Sequence, residues 1–161
     1  MTIQESANDA GAATLESGGP GWYEVEPGMT FKVIVSSKET GGAYAVVESI
    51  AQPGVGSITH IHHKEDEHFF VLDGVAHVVI DGVPTDLHPG QSATLPREVP
   101  HVWINRSDKP LRMLAIFSPG GFEQLGVDVA ESGGLEKYDF SQIQPKYGLE
   151  AIGPKLEDVR G

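Results

Sequence analysis

Two histidines and a glutamate have the spacing of a metal site built on β-strands. His60 and His62 are two residues apart in a segment typical of a strand, and an extended chain directs alternate side chains to one face. Glu67 follows a short polar connection and begins a strand-like run that includes the apolar residues 69–72. A hairpin of these strands would bring a carboxylate to two imidazoles, a set that suits Zn, Fe, Ni, Mn or Co rather than Ca. The segment therefore predicts a site for one divalent transition metal.

A fourth candidate ligand lies further along the chain. Pro96, Pro100 and the polar pair between them predict a bend just before His101. In the strand that follows, Trp103 and Asn105 share a face with His101. We therefore expect His101 to point inward with an aromatic ring beside it.

Other polar residues near this segment have simpler interpretations. His63 has the opposite strand parity to His60 and His62, so we predict a solvated hairpin residue. Similar surface positions are predicted for His68, His77 and His88. The acidic pair at 65–66 is interpreted as a solvated turn.

The composition excludes several kinds of chemistry. The 161 residues fit one domain and include no cysteine, which rules out disulfides, thiolate metal sites and thiol nucleophiles. Eleven basic against 23 acidic residues give a formal charge of -12, which disfavours nucleic acid and anionic membranes as partners. We find neither a basic, apolar leader nor a run of the ~18 apolar residues needed to span a membrane. A cytoplasmic location is expected.

Regular turn signals predict a meander of short strands. Asp73-Gly74, Asp81-Gly82 and Pro89-Gly90 are separated by short apolar stretches, and an Asp-Gly pair favours a tight antiparallel hairpin. This pattern is typical of an all-β sandwich or barrel.

The chain divides into three predicted parts. Residues 1–21 are rich in Ala, Ser, Gly and acids and are predicted to form a flexible N-terminal arm. Residues 22–150 are predicted to form the barrel, and 151–161 a C-terminal tail. Within the barrel unit, the residue pattern at 122–129 is compatible with either a helix or a loop lid. A short helix is predicted at 141–143, stopped by Pro145.

The sequence resembles a small single-domain cupin of the quercetin 2,3-dioxygenase-like group. The first motif of that family matches as Gly54-x5-His60-x-His62-x4-Glu67-x6-Gly74, and the second as Gly90-x5-Pro96-x-Glu98-x2-His101-x3-Asn105. The resemblance implies a double-stranded β-helix, or jelly-roll barrel, with a short C-terminal helical segment. It also implies four metal ligands, which are His60, His62, Glu67 and His101. Glu98 stands where the family usually has glycine, so a strained positive φ is expected there.

The resemblance also implies a reaction. Three His and one Glu leave two positions open on a six-coordinate ion. The family relationship then points to a dioxygenase that cleaves a C–C bond of a phenolic, flavonol-like or enolisable diketone substrate with O2. Glu67 would be both a ligand and the base that takes the proton of a substrate hydroxyl. Candidate pocket residues are Phe69, Trp103 and Met113.

Two other functions stay open from the sequence. Cupin barrels also serve as non-catalytic ligand-binding or sensor domains, since a fold alone does not give a function. A metal-dependent isomerase or lyase that does not use O2 is the other alternative. A phosphosugar substrate would need several cations at the barrel mouth, and the nearby candidates are few: Lys64, Arg97, Arg106 and Arg112. The apolar residues on both faces of the strand at 69–72 predict a homodimer, because a large apolar patch is seldom left bare.

Overall fold

The computed structural model describes residues 21–157, which form two antiparallel sheets and two short helices. All of the predicted arm except Gly21 lies outside the described residues. The predicted all-β barrel is confirmed. The strands are β1 Trp22–Glu26, β2 Met29–Val35, β3 Ala45–Ala51, β4 Ile58–His62, β5 Asp66–Asp73, β6 Ala76–Ile80, β7 Val83–Leu87, β8 Ser92–Leu95, β9 His101–Asn105, β10 Leu111–Ser118 and β11 Leu149–Lys155.

The two sheets have the strand orders β1-β2-β3-β10-β5-β8 and β11-β4-β9-β6-β7. Neighbours in the chain therefore often belong to opposite sheets. Asp81-Gly82 forms the expected two-residue hairpin turn between β6 and β7, and both residues have positive φ. The connection around Asp73-Gly74, in contrast, carries the chain from one sheet to the other rather than closing a hairpin.

The core lies between the facing sheets. Along β10, every second side chain from Leu111 to Phe117 is buried, which is the alternation expected of a strand with one inner face. On the neighbouring strand β5, Phe69 and Val71 are buried whereas Phe70 is 37% exposed. The inner faces therefore build one apolar interior, and β5 also presents an aromatic side chain on its outer face.

Two short helices follow the last barrel strand of the first sheet. The segment left open between helix and loop forms helix α1, Glu123–Glu131. A 3-10 turn at Phe140–Gln142 leads into helix α2, Ile143–Tyr147. The prediction that Pro145 stops the helix is wrong: it is the third residue of α2, and N–H groups in the first helical turn have no intrahelical partner to lose. The helix instead ends at Gly148, whose φ of 69° gives the left-handed cap.

Strand β11 returns the chain to the second sheet. It pairs with β4, with Leu149 opposite His62 and Ala151 opposite His60. The sheet therefore continues to Lys155, past residue 150, where we predicted the barrel to end. None of the helices formed by residues 21–157 is both long and apolar enough to cross a membrane.

Candidate metal centre

Three strands from two sheets place the four predicted metal ligands at one end of the barrel. His60 and His62 alternate along β4, and His101 of β9 lies directly opposite His60. Glu67 belongs to β5, which pairs with β8 and β10 and not with β4. The predicted hairpin of β4 with β5 is therefore wrong, because the three-residue connection crosses between the sheets. The carboxylate faces the imidazoles across the interior of the barrel.

The four side chains converge closely. The Nε2 atoms of His60 and His62 are 3.2 Å apart, and Glu67 Oε2 lies 3.3 Å from Nε2 of both His62 and His101. One ligand atom of each residue lies within 4.8 Å of all the others. All four residues are buried, with exposed fractions between 1% and 6%.

The second nitrogen of each ring is held by an acceptor behind it. His60 Nδ1 lies 2.7 Å from the Ile58 carbonyl oxygen, and His101 Nδ1 lies 3.2 Å from that of Val99. His62 Nδ1 lies 2.5 Å from Oε1 of Glu65. Because carbonyl and carboxylate oxygens only accept, each Nδ1 carries the hydrogen and donates. The Nε2 lone pairs of His60 and His101, and of His62 once it is deprotonated, are then available to the centre.

These distances fit a bound metal ion. Ligands that lie about 2.1 Å from one ion are about 3.0 Å apart at a right angle and about 3.4 Å apart in a tetrahedron, and the observed separations are 3.2 and 3.3 Å. His101 Nε2 is buried and makes no hydrogen bond among the described residues. A buried polar atom without a partner is costly, and an ion at the centre would satisfy it. The cluster could therefore hold one metal ion.

The electrostatics of the metal-free cluster are uneven. Burial, with smaller contributions from His101 and His62, lowers the pKa of His60 to about 4. Burial also acts to lower the pKa of His62, but hydrogen bonds to Glu65 and Glu67 outweigh it and raise that pKa to about 9. Burial acts to raise the pKa of Glu67, yet its close interactions with the side chains of His101 and His62 hold it well below its usual range. At neutral pH the metal-free centre thus contains a carboxylate and a protonated His62.

Glu65 corrects the interpretation of the acidic pair as a solvated turn. Its side chain is 4% exposed and bonded to His62, whereas Asp66 is half exposed and pairs with Arg97. A signal was present in the sequence, because Glu65 has the same parity as Glu67 and the inward residues of β5. Strand parity did not, however, identify His62 as the polar partner that makes the burial of Glu65 favourable.

The other four histidines lie outside the metal cluster. His63 is outside the cluster, but it is bonded rather than simply solvated, with its two ring nitrogens 2.7 Å from carboxylate oxygens of Glu98 and Glu150. Outside the cluster as well, His68 bonds to Thr94 and His77 to Asp86, while His88 is exposed.

Glu98 occupies the position where the motif usually has glycine. Its φ is 65°, as expected for that position. Its side chain offers an oxygen to His63, and its backbone N–H donates to the carbonyl of His62 at 2.8 Å. The bend before β9 is therefore tied to the end of β4.

A cavity of about 380 Å³ opens beside the cluster, and His60, His62 and Glu67 form part of its wall. The three candidate pocket residues Phe69, Trp103 and Met113 line it and also belong to the main core cluster. Their contact with a substrate stays a prediction. The cavity continues along the inner face of β10 from Phe117 to Met113, four residues and thus about 13 Å at strand rise.

Sequence reasoning did not identify Phe122 as a contact of the centre. Its ring meets that of His62 edge-on at a centroid distance of 4.4 Å, and it lies 5.0 Å from the ring of Phe117. Phe122 immediately precedes α1, whose residues Leu125 and Val129 also line the cavity. The helical segment thus covers the end of the barrel that contains the centre.

Comparisons with known proteins agree with this architecture. A cupin domain model matches residues 47–117. Quercetin 2,3-dioxygenase from Bacillus subtilis is 29% identical over 92 residues, 57% of this chain and 27% of that enzyme. The structure of KdgF from a Halomonas species shares 22% identity at a TM-score of 0.58, over 64% of this chain and 89% of that one. A cupin-superfamily sugar phosphate isomerase from Silicibacter pomeroyi shares 25% identity at a TM-score of 0.51, over 57% of this chain and 60% of that one.

The fold and the family match lead to one conclusion: residues 47–117 form a cupin domain, and the chain has the fold of the cupin structures it matches. In sequence it resembles quercetin 2,3-dioxygenase at low identity. The matching region covers between 18% and 51% of the length of the curated relatives.

Proposed function

We propose that the protein is a metal-dependent dioxygenase that cleaves a C–C bond of a phenolic, flavonol-like or enolisable diketone substrate. The observation that carries the proposal is the position of the metal cluster on the wall of a deep apolar cavity. An apolar cavity of about 150 Å³ holds a benzene molecule. A cavity of about 380 Å³ therefore has room for a molecule of two to three rings with one end at the cluster.

The cavity wall favours an apolar substrate over a phosphorylated one. Among the described residues, its one basic side chain other than the histidines is Lys155, which pairs with Glu26 at 2.5 Å. No arginine of the described chain lines it. Phosphate recognition usually requires Arg or Lys donors. The cavity wall therefore does not favour a sugar phosphate substrate, despite the similarity to a sugar phosphate isomerase.

The side chains of the centre have separable roles in this proposal. His60, His62, His101 and Glu67 would hold a divalent transition metal, which supplies Lewis acidity and an open position for substrate or O2. Glu67 is ionised in the metal-free centre because its interactions with His101 and His62 lower its pKa; an ion bound to those rings would replace these interactions, and Oε2 of Glu67 faces the cluster. It would take the proton of the substrate hydroxyl at that oxygen. Phe117 and Phe122 beside His62 would exclude water from the reacting atoms.

Oxygen consumption tests the proposal. Protein loaded with Fe, Ni, Mn or Co is incubated with a panel of flavonols, catechols and β-diketones, and O2 uptake is compared with substrate loss. We expect equimolar consumption with at least one substrate. Substrate loss without O2 uptake would favour the isomerase or lyase alternative, and binding without any turnover would favour the sensor alternative.

A variant separates the two roles of Glu67. Glu67→Gln should retain part of the metal, because three histidines suffice for binding. Its turnover should fall about 10²- to 10⁴-fold, because an amide cannot act as the base. Asp66→Asn is the matched control, since Asp66 is the adjacent carboxylate and pairs with Arg97 at the surface. Loss of turnover only in proportion to lost metal would contradict a role as base.

A further inference from the structure

A second buried carboxylate stands directly behind the metal cluster. Glu65 lies in the connection between β4 and β5, is 3% exposed, and is outside the set of four converging ligands. Its Oε1 is 2.5 Å from Nδ1 of His62, the ring nitrogen that points away from the centre. The two side chains are 4% and 1% exposed, so the contact is sheltered from water.

His62 differs from the other two imidazoles in this respect. His60 and His101 have backbone carbonyls, neutral acceptors, behind their rings, at 2.7 and 3.2 Å. His62 has a charged acceptor at a shorter distance. Hydrogen bonds to ionised acceptors are about twice as strong as those between neutral groups, and a carboxylate behind a metal-ligating imidazole fixes the ring and raises its basicity as a ligand.

The same carboxylate changes the charge of the site. Glu67 alone supplies one negative charge to the four-residue cluster, whereas a divalent ion has two positive charges. A buried charge is unfavourable unless it is compensated nearby. Glu65, one imidazole away from the centre, is placed to supply the second negative charge.

We propose that Glu65 is a positioning residue of the metal centre, which holds His62 with Nε2 toward the ion and supplies the second negative charge that balances a divalent cation. The inference rests on the metal-binding part of the proposed function and is independent of the reaction. With Glu65, the metal centre consists of five side chains, which come from both sheets and from the connection between β4 and β5.

The test is the affinity of the full chain for Zn²⁺, measured by competition with a chelator above pH 9, where protons compete little for His62. Glu65→Gln keeps the size of the side chain and removes its charge, and it should weaken binding about 10- to 100-fold. Glu150→Gln is the matched control, because Glu150 bonds in the same way to His63, which is outside the cluster. The control should change the affinity less than about threefold, because an exposed charge that does not contact the cluster contributes little to the free energy of binding.

Further measurements distinguish positioning from a general loss of structure. Glu65→Asp keeps the charge on a shorter side chain, and it should bind Zn²⁺ more tightly than Glu65→Gln. In the Zn²⁺-loaded wild type, the Nδ1 proton of His62 should be visible by NMR, and it should be lost or exchange rapidly in Glu65→Ala. Equal Zn²⁺ affinity of Glu65→Gln and the wild type would overturn the proposal, as would equal weakening by Glu65→Asp and Glu65→Gln.

The outcome is separable from that of the proposed function. A protein that binds Zn²⁺ through Glu65 and His62 but consumes no O2 would refute the dioxygenase and leave the role of Glu65 intact. His62→Ala serves as the reference for a lost ligand. If His62→Ala bound Zn²⁺ as tightly as the wild type, the metal centre itself, and with it this inference, would be wrong.

Discussion

Metal binding at neutral pH should displace a proton from His62. Its pKa in the metal-free protein is raised to about 9 by the hydrogen bonds to Glu65 and Glu67, which outweigh burial, while that of His60 is lowered to about 4. At pH 7 His62 is therefore protonated and His60 is not. Because the ion needs the Nε2 lone pair, we expect release of about one proton per ion, and an affinity that rises about tenfold per pH unit up to pH 9.

The same shift sets the pH dependence of the metal-free fold. The pKa of His62 is higher in the folded protein, about 9, than its ordinary value of 6.5, so its protonation stabilises the fold. The difference corresponds to about 3 kcal/mol. This stabilisation is fully present below pH 6.5 and is lost as the pH rises through 9. Urea unfolding of the metal-free protein at these two pH values should show the loss.

Calorimetry measures the proton directly. Zn²⁺ is titrated into metal-free protein at pH 7 in two buffers of different ionisation enthalpy, and the difference in apparent heat gives the protons released. In Glu65→Gln the released fraction should fall, because one of the two carboxylates that hold the proton on His62 is neutral. Heats that do not depend on the buffer, together with an affinity that is flat between pH 7 and 9, would refute the electrostatic reasoning.

Three other predictions concern ligand parity, assembly and packing. His62→Ala should lower metal content and the melting temperature of the metal-loaded protein, since an ion stabilises only the state that binds it; His63→Ala should lower neither, and equal metal loss in both would contradict the strand parity. The outer face of β5, with Phe70 37% exposed, is predicted to be covered in a homodimer; light scattering should give a dimer mass that Phe70→Glu reduces, and a monomeric wild type at micromolar concentration would contradict it. Gly56→Ala should destabilise the fold by about 1–3 kcal/mol, because a Cβ there would lie 2.1 Å from the carbonyl oxygen of Trp103. A change in the free energy of urea unfolding below about 0.5 kcal/mol would show that the backbone at residue 56 moves away from β9 easily.

Local rules were enough to place the three histidines. Alternation along β4 puts His60 and His62 on one face, and the bend before β9 turns His101 inward, so the sequence predicts which imidazoles can meet. The hairpin turn at Asp81-Gly82 follows in the same way from turn chemistry, whereas the positive φ of Glu98 was implied by the family motif, which usually has glycine at that position. These features depend on residues within a few positions of each other.

Strand pairing, in contrast, was decided by the tertiary structure. The short connection before β5 was expected to close a hairpin, but β5 pairs with β10 and β8, which are remote in sequence. A three-residue connection is compatible with either path, and burial of both apolar sheet faces selects the crossing. The crossing is also what sets Glu67 opposite the imidazoles rather than beside them.

The environment of the centre was likewise invisible to local patterns. The sequence by itself determined four candidate ligands and the face each would occupy, because side-chain direction in a strand follows from parity. Only the tertiary structure decided that Glu65 would be buried against His62 and that Phe122 would cover the same ring. The physical reason is that burial depends on what packs above a residue, and here the covering segment lies some sixty positions further along the chain.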